Sequence, residues 1–227
     1  MLKFNVYKIF AQKKRKVEIA CDGLLKLGIT TALYGSSGIG KSTIFRMLSG
    51  LEKPTHGEIK FENKIWFNDQ INTPIKDRKI GYVFQDFNLF PNMNIEKNLA
   101  YASPNGIIID EIKTLIQHSN LSDLMQSNPN DLSAGERQRL AIIRSLCQAP
   151  DILFLDEPFS ALDDDSIQLI MDEILQLQKK RPLTVGLISH RKDVIFEMAE
   201  EMIYMRSNGT NEQGRPKDLI SEGIRKS

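Results

Sequence analysis

Residues 35–42 read GSSGIGKS and sit between the apolar run ITTALY and the helix-like run TIFRMLS. This stretch leaves the chain the least freedom. A linker could be built from Gly and Ser alone, and it would need neither the lysine nor the apolar flanks. The stretch fits Gly-x-x-x-x-Gly-Lys-Ser/Thr, with Gly35, Gly40, Lys41 and Ser42 at the fixed places. A loop that cradles phosphates must turn its backbone N–H groups inward, and glycines permit the positive φ angles and close approach this requires. A helix starting at Lys41 would aim its unpaired N–H groups and partial positive charge at the same anion. A strand before the loop and a helix after it separate such a loop from an accidental glycine-rich turn. Residues Gly35, Ser36, Ser37, Gly38, Ile39, Gly40, Lys41, Ser42 and Thr43 are therefore expected to bind nucleotide phosphates. Lys41 would reach the β- and γ-phosphates and the Ser42 hydroxyl would bind Mg²⁺.

The rest of the chain alternates strands and helices. KFNVYKIF and KVEIAC are β-type, and the basic cluster Lys13, Lys14, Arg15, Lys16 between them reads as a solvated hairpin turn. The helix from Lys41 should end at Gly50, a natural C-cap. GEIKFENKIWFN reads as a hairpin and RKIGYVFQ as a strand ending in a polar residue. Helical pieces follow in NIEKNLAYA, DEIKTLIQHSN and LSDLMQ, broken by Pro104, Gly106 and Pro129, which marks a helical insertion. DILFLDEP and LTVGLISH are apolar runs of strands buried on both faces, with helical spacing in DSIQLIMDEILQLQKK between them. A short strand MIYMR, a turn at Ser207–Asn208–Gly209 and a polar end complete the chain. This alternation predicts a parallel sheet covered by helices.

Asp156 and Glu157 end the run DILFLDEP. Ligands of open α/β sheets bind at the carboxyl ends of strands. Asp156 is suited to hold Mg²⁺ through water, and Glu157 to polarise a water for attack on a γ-phosphate.

Composition removes several alternatives. Thirty Lys plus Arg nearly balance 29 Asp plus Glu, so no global basic field exists to gather nucleic acid. Cys21 and Cys147 lack metal-ligand spacing and read as buried reduced thiols. No apolar run has the length to span a bilayer, and MLKFNVYKIF lacks the pattern of a secretion signal. The expected location is cytoplasmic.

Four more stretches, taken with the phosphate loop, resemble the ATP-binding cassette ATPases over nearly the whole chain. They are YVFQD with Gln85, LSAGERQR at 132–139, SALD at 160–163, and ISH with His190. The resemblance implies a P-loop ABC ATPase fold of α/β class: a mostly parallel RecA-like sheet, an N-terminal antiparallel β subdomain and an inserted α-helical subdomain. It implies one domain over 1–227. The β subdomain and core would occupy about 1–85 and 150–227, the helical subdomain about 86–149, and no C-terminal regulatory domain would follow. It implies ATP and Mg²⁺ as ligands, and catalytic roles for Glu157, His190 and Gln85. Ser42, Gln85 and Asp156 would lie at the metal. Two cassettes would pair head to tail, so that Ser133, Ala134, Gly135 and Glu136 of one copy meet the γ-phosphate held by the other. Asp163 would carry contacts across that dimer.

The signature reads Ser-Ala-Gly-Glu where the commonest form is Ser-Gly-Gly-Gln. A methyl at Ala134 would cost roughly 1 kcal/mol if the backbone there needed φ > 0, and less if the site is helical. The family usually stacks adenine on an aromatic near the N-terminus, for which Phe10 and Tyr7 are candidates.

A single cassette resembles a separate subunit that docks on membrane permease subunits, placed peripherally on the inner face of the membrane. DRKIGYVFQDFNLFPNMNIEKNLAYA and GITTALYGSSGIGKST look like importer cassettes, especially those for molybdate and related oxyanions. That implies a solute-binding protein as a further partner. Phe90, Pro91 and Met93 would line the groove for a permease helix. The alternatives are the ATPase subunit of a lipoprotein or peptide exporter, and a non-transport ABC ATPase.

Overall fold

The computed structural model describes residues 1–12 and 15–225, and among these the chain forms ten strands and seven helices. The first two strands, β1 (Leu2–Gln12) and β2 (Arg15–Leu25), pair antiparallel along their whole length. Their pattern is period two: Leu2, Phe4 and Val6 are buried, and Lys3 and Asn5 are exposed. Of the basic cluster expected to form the hairpin turn, Arg15 and Lys16 belong instead to β2, because they continue its pairing with β1, and Lys13 and Lys14 lie outside the described residues. With β4 (His56–Phe61) and β5 (Lys64–Phe67), the predicted hairpin, these strands make a sheet of order β2-β1-β4-β5.

The second sheet has the order β10-β9-β3-β8-β7-β6. It contains β3 (Thr30–Tyr34), β6 (Ile80–Val83), β7 (Ile152–Asp156), β8 (Thr184–Ile188), β9 (Glu201–Met205) and β10 (Asn211–Gly214). All its pairings are parallel except β9 with β10. Every residue of β7 and β8 is buried, the condition for a strand covered on both faces. The two faces of β7 serve different cores. Ile152 and Phe154 pack with Ile44, Phe45, Met47 and Leu48 of α1 (Lys41–Ser49) and with the N-terminal sheet. Leu153 and Leu155 pack with α2 (Ile95–Ala102), α3 (Asp110–His118), α4 (Ala134–Leu146) and α5 (Asp164–Lys180). The carboxyl end of β7 therefore emerges between two packed layers, a rigid mount for Asp156 and Glu157.

Helix α1 begins at Lys41 and ends at Gly50, which adopts φ +86° as a left-handed C-cap. Buried Arg78 finishes that cap. Its guanidinium donates to Leu48 O (2.9 Å), Met47 O (3.3 Å), Thr73 O (3.0 Å) and Trp66 O (3.3 Å).

Three expectations fail. LSDLMQ is not a helix: only Ser122–Leu124 makes a single 3₁₀ turn, because Leu121 and Leu124 have turned inward to fill the core under α3. The strand at RKIGYVFQ stops at Val83, so Gln85 sits in the turn beyond it. The polar tail is ordered structure: β10 pairs with β9, and α7 (Pro216–Arg225) buries Leu219 and Ile220 against Ala32 and Met202. An unremarked helix, α6 (Lys192–Met198), follows His190. Both cysteines are free and buried, as expected. No helix among the described residues is long and apolar enough to cross a membrane.

Candidate functional site

The loop between β3 and α1 carries the backbone that glycine makes possible. Gly38 has φ +76° and Gly40 φ +107°. Gly40 is the N-cap of α1 and uses no side chain there, so the first N–H groups of the helix stay available. Lys41 is buried, and its Nζ donates to Gly35 O (3.0 Å) and Ser36 O (3.1 Å). Burial lowers the Lys41 pKa; Glu157 and Asp156 oppose that shift. An ammonium so placed is a fixed positive charge in a partly desolvated cradle.

Facing the loop, β7 delivers two carboxylates of different character. Asp156 is buried, receives Ser42 Oγ at 2.9 Å on Oδ1 and Tyr82 OH at 3.1 Å on Oδ2, and has its pKa raised by burial despite those bonds. Glu157 lies just past the strand at φ +52°, a left-handed conformation that costs a side-chain-bearing residue about 1–3 kcal/mol. The turn is held by its own N–H, which donates to Ile188 O at 3.0 Å. The carboxylate then meets His190: the His190 N–H donates to Oε2 at 3.4 Å, and Nε2 lies 3.2 Å from Oε1. Burial raises the Glu157 pKa, with His190 pulling it back.

Gly40, Lys41, Ser42, Glu157 and His190 line one cavity of about 660 Å³, together with Ser37, Gly38, Thr43, Gln85 and Ser160, while Asp156 is reached only through its bond to Ser42. The apolar part of its lining comes from the N-terminal hairpin and β8: Phe10, Val17, Ile19 and Ile188. Of the two aromatic candidates, Phe10 lines the cavity and Tyr7 does not. The sequence reading missed Val17 and Ile19. Their signal was the alternation of β2 opposite Phe10, since Phe10 pairs with Val17 in the β1–β2 ladder. It also missed Tyr82, whose hydroxyl orients Asp156 from the neighbouring strand.

The LSAGE segment lies elsewhere: Ser133, Ala134, Gly135 and Glu136 are absent from the cavity lining. Ser133 is the N-cap of α4 in a capping box. Glu136 N–H donates to Ser133 Oγ at 3.3 Å, and both Ser133 N–H and Ser133 Oγ donate to Glu136 Oε2 at 2.7 Å. Those bonds hold the Glu136 pKa below the usual carboxylate value. Ala134 is the first helical residue and has no positive φ, so the feared strain does not arise. Asp163 is the N-cap of α5, accepting Ser166 N–H at 2.8 Å.

The donors near Asp156 suit Mg²⁺, which takes one or two carboxylates plus substrate phosphates and waters rather than a cage of protein ligands. Among the described residues no group of three or more His, Cys, Asp or Glu could hold a metal unaided. The set here is the Ser42 hydroxyl and the Gln85 amide, which line the cavity, and the Asp156 carboxylate, which is hydrogen-bonded to Ser42 behind that lining; all three are hard donors.

Comparison with known proteins gives this arrangement a context. The ABC transporter family profile matches residues 21–160, more than half of the chain. The chain is 32% identical over 220 residues to the Fe(3+) ions import ATP-binding protein FbpC 2 of Haemophilus influenzae, covering 95% of this chain and 61% of that one. It is 33% identical over 229 residues to the methionine import ATP-binding protein MetN of Streptococcus agalactiae, covering 96% and 64%. It thus spans less than two thirds of these relatives' length. Among solved structures, it superposes on the dimeric bacterial ABC transporter cassette MJ0796 with a TM-score of 0.82 and 28% identity, covering 95% of this chain and 99% of that one. The same cassette in a post-hydrolysis state bound to ADP and Pi gives the same score. The two-sheet architecture is the ABC ATPase cassette fold. Profile, fold and relatives agree with the phosphate loop and paired carboxylates, and the chain belongs to the ABC transporter family.

Proposed function

We propose that this chain is the ATP-hydrolysing subunit of an ABC importer. The observation that carries the reading is the convergence of Lys41, Ser42, Gln85, Glu157 and His190 on one cavity that Phe10, Val17 and Ile19 also line. Triphosphate fits the loop and the N-terminus of α1; the base fits against Phe10, Val17 and Ile19. A ring stacked on an aromatic contributes about 1–3 kcal/mol in base-binding sites.

In the proposed reaction a water oxygen attacks the γ-phosphorus. The bond to the β–γ bridging oxygen breaks, and the water's proton passes to Glu157. Burial raises the basicity of that carboxylate, and the strained backbone at φ +52° aims it into the cavity. His190, whose Nε2 lies 3.2 Å from Glu157 Oε1, would help orient that water. Ser42, Asp156 and Gln85 would hold Mg²⁺, which when bound neutralises charge on the phosphates. The Ser133–Glu136 segment, which does not line its own chain's cavity, would supply N–H and hydroxyl donors to ATP held by a second copy. Ala134 as a helical residue is compatible with that.

Residues 86–149 are proposed as the moving helical subdomain, with 1–85 and 150–227 as β subdomain and core. The segment after Gln85 exposes Phe90, whose ring packs edge-on against the exposed ring of Tyr101 at 5.1 Å. With Pro91 and Met93 this surface is proposed to receive permease subunits, holding the chain on the inner face of the membrane. Importer direction draws on the relatives named for iron and methionine import. Another, from Chlorella vulgaris, is named for probable sulfate/thiosulfate import and is 34% identical over 86% of this chain. The proposed solute is an oxyanion of the molybdate kind, delivered by a solute-binding protein.

Glu157→Gln tests the core of the reading. The variant should bind MgATP as tightly as the parent, hydrolyse it at least 100-fold more slowly, and accumulate as a dimer in size-exclusion chromatography with ATP. Parent-like hydrolysis would overturn it.

A further inference from the structure

The two lips of the nucleotide cavity belong to different sheets. The phosphate loop hangs from β3 in the six-stranded sheet, and β3 is held by β9, with Tyr34 opposite Tyr204. The base lip, Phe10, Val17 and Ile19, hangs from the β1–β2 hairpin. Their relative placement is tight. A Cβ added at Gly40 would come within 2.7 Å of Ile19 Cδ1.

Strand β10, which pairs with β9, reaches across to the free edge of β2 with two side-chain amides. Asp22 N–H donates to Asn211 Oδ1 at 3.2 Å, and Asn211 Nδ2 donates to Asp22 O at 2.7 Å. Leu24 N–H donates to Gln213 Oε1 at 3.0 Å, and Gln213 Nε2 donates to Leu24 O at 2.7 Å. Residues 22 and 24 present both backbone groups on one edge, and residues 211 and 213 project from one face of β10. The amides thus act as a strand partner made of side chains. Glu201 Oε2 accepts Gln213 Nε2 at 2.7 Å, which fixes the orientation of that amide. Close approach is possible because Gly23 has no side chain: a Cβ there would lie 2.6 Å from Ile203 Cδ1.

We infer that Asn211 and Gln213 are positioning residues for nucleotide binding, locking the base lip in register with the phosphate loop through β10. The inference rests on the proposed ATP site. It makes a specific demand: losing the amides loosens the lip that meets the base and leaves the phosphate loop, which β3 and β9 hold, in place.

The test uses the full chain and the double variant Asn211→Ala/Gln213→Ala. Binding of ATP is measured by calorimetry, and binding of tripolyphosphate by its displacement of a fluorescent ATP analogue, both with Mg²⁺. The expected result is an ATP Kd weakened about three- to tenfold with the tripolyphosphate Kd changed less than twofold. Equal weakening of both ligands, or no change in either, overturns the inference. Should the double variant not fold, Asn211→Asp keeps the acceptor for Asp22 N–H and loses the donor to Asp22 O. It should show the same ATP-selective loss at about two- to threefold, and a loss shared by tripolyphosphate overturns the inference as before. A parent chain that binds no ATP would instead sink the nucleotide-site reading beneath it.

Discussion

Gly40→Ala is the substitution on which the structure speaks in most detail. The new methyl faces two separate costs. Gly40 sits at φ +107°, ψ 14°, where a side-chain-bearing residue costs about 1–3 kcal/mol. Its Cβ would also lie 2.7 Å from Ile19 Cδ1, 2.8 Å from Cγ2 and 3.0 Å from Cγ1. No single rotamer change of Ile19 clears all three, since Cγ1 and Cγ2 branch from one carbon. Ile19 is nearly buried and packs in the core beneath α1, so it must be pushed into its neighbours, an overpacking cost of about 1–3 kcal/mol. The sum is about 2–6 kcal/mol, a fall of roughly 0.7 M or more in the urea midpoint at slopes of about 1–3 kcal/mol/M. The costs separate in a double-mutant cycle. Ile19→Ala alone should cost about 2–4 kcal/mol. In the double variant the clash vanishes and the backbone strain stays, so the total should fall short of the sum by about 1–3 kcal/mol. Urea unfolding of the four proteins reads this directly. Additivity within about 0.5 kcal/mol would refute the claim that β2 and the phosphate loop are in register at this contact.

Other expectations follow from the same geometry. Asp156 and Glu157 are both pushed up, mainly by burial, so between the usual carboxylate range and their raised values the folded chain binds more protons than the unfolded one. Stability should therefore rise as pH falls through that window, opposite to a salt-bridged carboxylate. Asp156→Asn should raise the ligand-free Tm at pH 7, flatten its pH dependence and abolish the Mg²⁺-dependent part of ATP stabilisation; an unchanged pH slope would count against burial as the cause. Arg78→Lys should cost about 3–5 kcal/mol in urea unfolding, because a compact ammonium cannot serve four carbonyls spread over three segments. Tyr101→Asp should spare ATPase activity of the isolated subunit and reduce co-purification with the permease; full recovery of the complex would remove this surface from the docking proposal.

Much of the site could be read from one chain of letters because its chemistry is local. The phosphate loop is a contiguous string whose glycines fix the backbone, and β7 announces itself by an unbroken apolar run ending in two acids. What escaped detection depends on contacts distant in sequence. Tyr82 reaches Asp156 from the adjacent strand, and Val17 and Ile19 belong to the cavity only because β2 folds over the loop. LSDLMQ carries helical spacing, but Leu121 and Leu124 answer to the core and allow only one turn. The tail looked like a polar end because its amides are polar; they are spent on the backbone of β2. Ala134 could be judged only once the start of α4 was located, one residue after Ser133.

The capping box at α4 has a consequence for traffic at that helix start. The seat an anion would take is already occupied by a carboxylate: Glu136 accepts both the amide and the hydroxyl of Ser133. A phosphate that took the Ser133 amide and hydroxyl would have to displace a tethered rival of the same sign. Engagement at Ser133, as proposed for ATP on a second copy, would then be an exchange between two anions, with the tethered one ready to reclaim its place whenever the visitor's charge is cut.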